Sequence, residues 1–341
     1  MTSETGCSKR RYPRGMSCTA ALVALVGLGL FSNPASAQSA TQQNPAARSA
    51  PATHKSTGPQ AGQQTFSSAA EASQSFFVAI QKDDRPTLLK VLGPSAKDIL
   101  SSGDEAEDKN DRDQFAHKYQ QMHRLVTEPD GTTTLYIGAE NWPTPIPLMH
   151  KGNAWYFDTA AGKQEILYRR VGKNELAAIQ VCRELVDAQK EYHAQSHDGE
   201  TDRQYAQKFS SDPGKHNGLY WDKGSEADAS PIGPLVAVAA KEGYAQDADQ
   251  NLQPFQGYYF RILKGQGAKA AGGSKSYIED GKMTRGFAFV AYPAEYRSSG
   301  VMTFVVNQDG IVYEKDLGPR TAEIVKVMKQ YNPDSSWRKA D

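Results

Sequence analysis

His193 and His197 stand four residues apart, the spacing that sets two imidazoles on one helix face where a metal ion would take them. Asp198 follows at once, but no third ligand sits at metal spacing, and the pair falls at the end of a helical run beside Asp198-Gly199. The expectation is solvent-facing histidines and no bound metal, with His193, His197 and Asp198 as the weak candidates. Asp198, Glu200 and Asp202 alternate as calcium-loop oxygens would, yet the sixth position is Arg203 instead of Gly and the twelfth Phe209 instead of Glu. A solvated loop fits that pattern better.

Gly265, Gly267, Gly272 and Gly273 invite a phosphate cradle. A cradle joins a strand to a helix and is followed directly by Lys and Ser/Thr. Here Ser274-Lys275-Ser276 has the wrong order and strand patterns flank both sides, so a flexible hairpin connection is expected. Cys182 lies in an apolar helical stripe, where a thiol is packing, and its pairing with His216 as a nucleophile has nothing further behind it. No Gly-x-Ser-x-Gly elbow occurs. Tyr220, Trp221, Tyr258, Tyr292 and Tyr296 are the candidates for lining a ligand groove, although on strands half of such aromatics are simply core. Nothing in the chain calls for a cofactor.

The elements that would carry these groups are legible by period. Ala69, Ala72, Phe76, Phe77 and Ile80 recur at helical spacing. Asp83-Asp84 and Pro86 restart a helix with Leu88, Leu89 and Leu92 as its apolar face, stopped by Gly93-Pro94. The charged run from Asp104 to Asp113 leads into another helix carrying Phe115, Tyr119, Met122 and Leu125. Strands follow over Thr133 to Ile137, Ile146 to Met149 and Ala154 to Phe157, the last two joined by Lys151-Gly152-Asn153.

Asn174 then reads as the N-cap of a long helix with Leu176, Ile179, Cys182 and Val186 on one stripe, and Ala178, Val181, Leu185, Ala188 and Tyr192 on the next. A short helix spans Pro234 to Glu242. Aromatic and β-branched strands cover Gly257 to Leu263, Gly286 to Tyr292 and Val301 to Val306, with an Asp309-Gly310 turn before Ile311-Val312-Tyr313. A final helix runs from Thr321 to Tyr331. Helices followed by antiparallel sheet, twice over, define an α+β chain of two domains, 66–158 and 159–332, with a tail at 333–341.

The first residues address the chain for export. Lys9, Arg10, Arg11 and Arg14 precede an apolar run from Thr19 to Phe31 and an Ala35-Ser36-Ala37 cleavage pattern, so residues 1–37 read as a signal peptide. Gln38 to Gln64 is a linker of Gln, Ala, Pro, Ser and Thr with no apolar period. The expected mature chain has 35 basic against 38 acidic residues and keeps only Cys182 of three cysteines. Mixed, near-balanced charge argues against nucleic acid and anionic membrane as partners. A lone cysteine excludes a disulfide framework, leaving apolar burial to stabilise a periplasmic or secreted protein with no transmembrane span after cleavage.

The segment ending Gly152-Asn153-Ala154-Trp155-Tyr156-Phe157-Asp158 resembles exported NTF2-like and cystatin-like domains. The stretches "AIQVCRELVDAQKEY" and "SSGVMTFVVNQDGIVYEKDLG" resemble type IV pilin-like globular domains, although the apolar pilin stem helix is absent. From about residue 66 to 320, "FDTAAGKQEILYRRVGKNELAAIQVCRELVDAQKEY", "PGKHNGLYW", "PIGPLV", "GYYFRILKGQGAKAAGG" and "GFAFVAYPAEYRSSGVMTFVVNQDGIVYEKDLGP" identify the chain as a member of the bacterial exported family called domain of unknown function 2950. That resemblance implies an envelope or secreted location and no assigned activity. Two functions are therefore expected: a non-enzymatic envelope protein that binds an envelope partner or small ligand, or a hydrolase-type enzyme whose site at the domain junction draws on the 192–222 loop.

Overall fold

The computed structural model describes residues 58–222, 229–241 and 253–340. The expected signal peptide, the linker as far as residue 57 and Glu242 lie outside the described residues.

Capping residues start each early helix. Ser68 caps α1 (Ala69–Gln81) by accepting from Glu71 N, and Asp84 caps α2 (Arg85–Leu92) by accepting from Thr87 N. Gly93, at φ 85°, ends α2 and feeds a 3₁₀ turn and α3 (Lys97–Leu100). The buried face of α2 is Leu88, Val91 and Leu92, while Leu89 turns outward. The charged run after Asp104 is itself helical, where the sequence pattern had it lead into a helix. Asp104 caps α4 (Glu105–Gln121), and Glu105, Glu107 and Asp108 fill its first turn, where the helix dipole favours carboxylates.

An antiparallel sheet follows, built from β1 (His123–Thr127), β2 (Thr133–Ile137), β3 (Trp142–Pro143), β4 (Leu148–Lys151) and β5 (Ala154–Phe157). Its order is β1-β2-β4-β5, with β3 also on β2, and the β4–β5 hairpin pairs Leu148 with Phe157 and Lys151 with Ala154. Residues 58–64 are tied to this layer: Gln63 Nε2 donates to the Val91 and Phe157 carbonyls at 3.1 and 2.8 Å. Phe66, Leu92, Leu148 and Phe157 form one part of the core, and Phe77 stacks on Tyr119 at 4.3 Å in another.

The long helix α5 (Thr159–His193) begins fifteen residues before the expected Asn174 cap. Asp158 caps it instead, and Asn174 is buried in mid-helix. Its 35 residues extend about 52 Å, enough to run past both sheets. Leu176 is 67% exposed, so the buried stripe is carried by Ile179, Cys182, Leu185 and Val186.

Beyond α6 (Gly233–Lys241) come β6 (Tyr258–Leu263), two small separate ribbons, β7 (Gly265–Gln266) with β8 (Lys275–Ser276) and β9 (Ile278–Glu279) with β10 (Lys282–Met283), and then β11 (Ala288–Pro293), β12 (Met302–Asn307) and β13 (Tyr313–Asp316), which join β6 in the second sheet. Helix α7 (Thr321–Val327) and β14 (Arg338–Lys339) close the chain. The main order is β14-β13-β12-β11-β6, antiparallel throughout. β14 thus brings the expected tail into the sheet.

α7 stops at Val327, short of the expected Tyr331. The Arg261 guanidinium donates to the Val325, Lys326 and Met328 carbonyls at its end, and Tyr331 N–H instead donates to Gly265 O at 2.9 Å.

The second sheet has two different faces. Tyr258 and Phe304, 5.7 Å apart between ring centres, share the face that α5 covers. Arg261, Val290, Val305 and Tyr313 pair across the strands on the other face, which α7 covers only in part. The first and second sheets keep separate apolar clusters, yet the described residues from 58 onward form one compact unit. The architecture is α+β, helices before antiparallel sheet.

Candidate functional site

The junction between the two cores is where the expected hydrolase site would lie, and it is closed by a polar seam. Asp104 Oδ1 caps α4 at 3.1 Å from Glu107 N, and its Oδ2 accepts from Gly257 N at 2.9 Å, joining residues 153 apart. Gly257 has φ 75°, and a Cβ there would drive into the Asn174 amide. Asn174 Nδ2 donates to Glu107 Oε2 at 3.0 Å and to Ser299 O at 3.1 Å. Glu175 Oε1 accepts from Val301 N and Met302 N at 2.9 and 3.0 Å, and Ser298 Oγ donates to the Asp98 and Ser101 carbonyls.

Burial pushes the Glu107 carboxyl above its usual range, against the Lys173 ammonium 3.1 Å away. Burial also raises Asp108, against the Ser102 amide that binds both its oxygens at 3.1 and 3.0 Å. Such shifts mark catalytic carboxylates as well as structural ones. Here the Glu107 carboxylate is held by Lys173 and Asn174, both on α5, so it acts as a strut between α4 and α5.

The 192–222 loop ties its ionisable groups to its own residues and to Lys282. His193 stacks on Tyr205 at 4.3 Å, and burial with Arg203 nearby lowers its pKa. His197 stacks on a different ring, Tyr192, at 4.0 Å, and its Nε2 lies 2.9 Å from Tyr192 O. The two imidazoles therefore do not converge. Asp198 takes His216 N–H on both oxygens at 3.0 Å and faces His216 Nδ1 at 3.3 Å. That orients an imidazole as an acid–base pair would, and Trp221 closes edge-on over the ring at 4.6 Å. Tyr192 Oη, its pKa pushed up to about 12 by burial, donates to His216 O at 2.7 Å.

Glu200 and Asp202 hold Lys282 Nζ at 2.7 and 2.8 Å, so the cation between these carboxylates is the chain's own ammonium. Among the described residues no group of three or more His, Cys, Asp or Glu side chains is placed to hold a metal ion.

Cys182 is fully buried, and burial raises its thiol to about 12, which suppresses the nucleophilic thiolate. The Gly265–Gly273 stretch is a hairpin connection, as expected, but a stapled one. Buried Gln266 donates to the Ala271 and Gly273 carbonyls at 2.8 and 2.7 Å and accepts from Tyr277 Oη at 3.0 Å.

The groove candidates are scattered. Tyr258 is core, its hydroxyl donating to Met302 O at 2.9 Å, and burial raises its pKa. Trp221 is buried beside His216, while Tyr220 donates to Asp222 at 3.2 Å. Tyr296 donates to Asp316 at 3.1 Å, and half-buried Tyr292 pairs with Tyr259 at 5.4 Å on the α7 face of the second sheet.

That same face carries a groove of about 590 Å³ lined by Val305, Leu317, Ile324, Val327, Met328 and Trp337, with Lys329, Gln330 and Asn332. Val327 is 72% exposed. The sequence pattern misses it by extending α7 to Tyr331 and treating Trp337 as tail. The signal on hand is Pro333, which sets Trp337 and Arg338-Lys339 up as a separate extended segment after the helix.

Within this α+β class, the chain belongs to the family described as Protein of unknown function (DUF2950), whose family model matches residues 63–340. No curated protein and no solved structure matches the chain.

Proposed function

We propose that the chain is an exported, periplasmic or secreted protein that works as a non-enzymatic binding or interaction module. The observation that carries this reading is the closed junction: the place where two cores meet is filled by mutually bonded Asp104, Glu107, Asn174 and Gly257. The reactive groups elsewhere point the same way, since Cys182, His193 and His197 are each held by packing. The signal-like first 37 residues support export, and no helix among the described residues is long and apolar enough to cross a membrane. The NTF2-like and pilin-like resemblances of its two parts, both scaffolds that present surfaces, fit the same role. Its partner is an envelope protein or a small ligand.

The rival reading, a hydrolase-type enzyme at the junction, has the raised Glu107 carboxyl on its side. Metal analysis of the purified chain, an esterase, peptidase and glycosidase substrate panel, and alanine changes at His193, His197 and His216 separate the two. Stoichiometric metal, or turnover lost in Glu107→Gln, would replace the binding reading with the catalytic one.

A further inference from the structure

The α7 face of the second sheet combines an apolar floor with lysines at its rim, and this says what should lie on it. Val305 pairs in register with Tyr313, and Tyr313 with Lys339, so these three share one face, with Lys339 about 10 Å across the sheet from Val305. Lys315, two residues beyond Tyr313, points the same way. Its Nζ donates to Ser336 Oγ at 2.7 Å and lies 6.0 Å from the Trp337 ring centre. Lys329 is part of the groove lining itself.

Lys315 is bridged to Asp334 through Ser336, whose hydroxyl accepts from the ammonium and donates to the carboxylate, which leaves Lys329 in the lining and Lys339 at the sheet edge as the cations that face the groove. Glu314 is neutralised by Arg338, whereas Asp334 accepts from Ser336 and Asp316 from Gly318 N and Tyr296 Oη, so both keep their charge. An apolar trough rimmed by lysines is complementary to an apolar body with an anionic end.

We propose that this groove binds a single-chain amphiphile bearing a carboxylate, its hydrocarbon laid over Val305, Ile324, Met328 and Trp337 and its head met by Lys329. The proposal rests on the reading of the chain as a binding module and names the ligand class for it. A neutral chain would forgo the lysines and a short anion the floor, so both parts of the ligand are required.

The test is calorimetric titration of the full chain with dodecanoate, below its micelle concentration, beside dodecanol and acetate. Dodecanoate should bind at least about tenfold tighter than either comparator, and its affinity should fall with added salt, as charge attraction requires. Val327→Asp sits at an exposed position, so its fold is expected to persist. It should lose about tenfold or more of the affinity by setting a like charge against the carboxylate, with Lys329→Glu doing the same. Dodecanoate binding that is absent, or equal in the wild type and both variants, overturns the proposal. So does concentration-dependent self-association abolished by Val327→Asp, which assigns the face to a second copy. Failure here leaves the binding-module reading in place, whereas turnover lost in Glu107→Gln removes that reading while leaving dodecanoate affinity unmoved.

Discussion

Gly257→Ala tests the seam where its geometry is tightest. The residue sits at φ 75°, which costs an L-residue about 1–2 kcal/mol in the left-handed region. The new methyl would also meet the Asn174 amide, and Ser299 Cβ would lie 3.1 Å from it. Asn174 is fully buried in mid-α5, so its amide can yield only by breaking its bonds to Glu107 and Ser299 O. Losing such buried bonds costs about 1–3 kcal/mol each.

The sum is about 3–8 kcal/mol, a large share of a typical folding free energy. Gly152→Ala is the matched control, since Gly152 has φ 61° and no atom within 4 Å of where the alanine methyl would sit. It should cost only the backbone part, about 1–2 kcal/mol. Urea unfolding followed by circular dichroism gives both values from the midpoint and slope. Equal destabilisation by the two alanines would refute the argument that the junction is packed to contact.

Other outcomes follow from single side chains. Because burial raises Glu107, the folded state holds its proton more tightly than the unfolded state does. Wild-type stability relative to Glu107→Gln should therefore fall as pH rises from the ordinary glutamate value up to the raised folded one, then level off. Urea midpoints at a series of pH values check this, and a relative gain with rising pH would contradict it. Cys182 should resist iodoacetamide in the native chain and label fully in guanidinium at a denaturing concentration, with mass spectrometry reading its peptide. Gln266→Leu should cost about 3 kcal/mol, because it strands the Ala271 and Gly273 carbonyls and the Tyr277 hydroxyl.

What was legible in the chain was local. Alternating Tyr, Phe and Val residues placed β6, β11 and β12 within a residue or two, since a strand's period and its turn residues are short-range signals. The start of α5 escapes the sequence because Asn174 followed by Glu175 looks like a cap, whereas its side chain bonds across the junction to residues 67 and 125 positions away. The Asp104–Asp113 run reads as a charged lead-in to a helix, whereas Asp104 and the first-turn acids are what begin α4.

The site suffered from the same blindness to distance. Tyr258 and Trp221 have the composition of a groove and the location of a core, and only pairing register shows which face a strand residue takes. The α7 face was hidden because it joins Val305, Ile324 and Trp337 from three separate segments.

Hydrogen–deuterium exchange on the full chain measures the closure of the junction most directly. The amides of Gly257, Val301 and Met302 donate to Asp104 and Glu175 and should exchange as slowly as those of β11 and β12. Exchange at the rate of an open loop, slowed only when a metal ion or substrate is added, would contradict a structural seam and place a working site between the two cores.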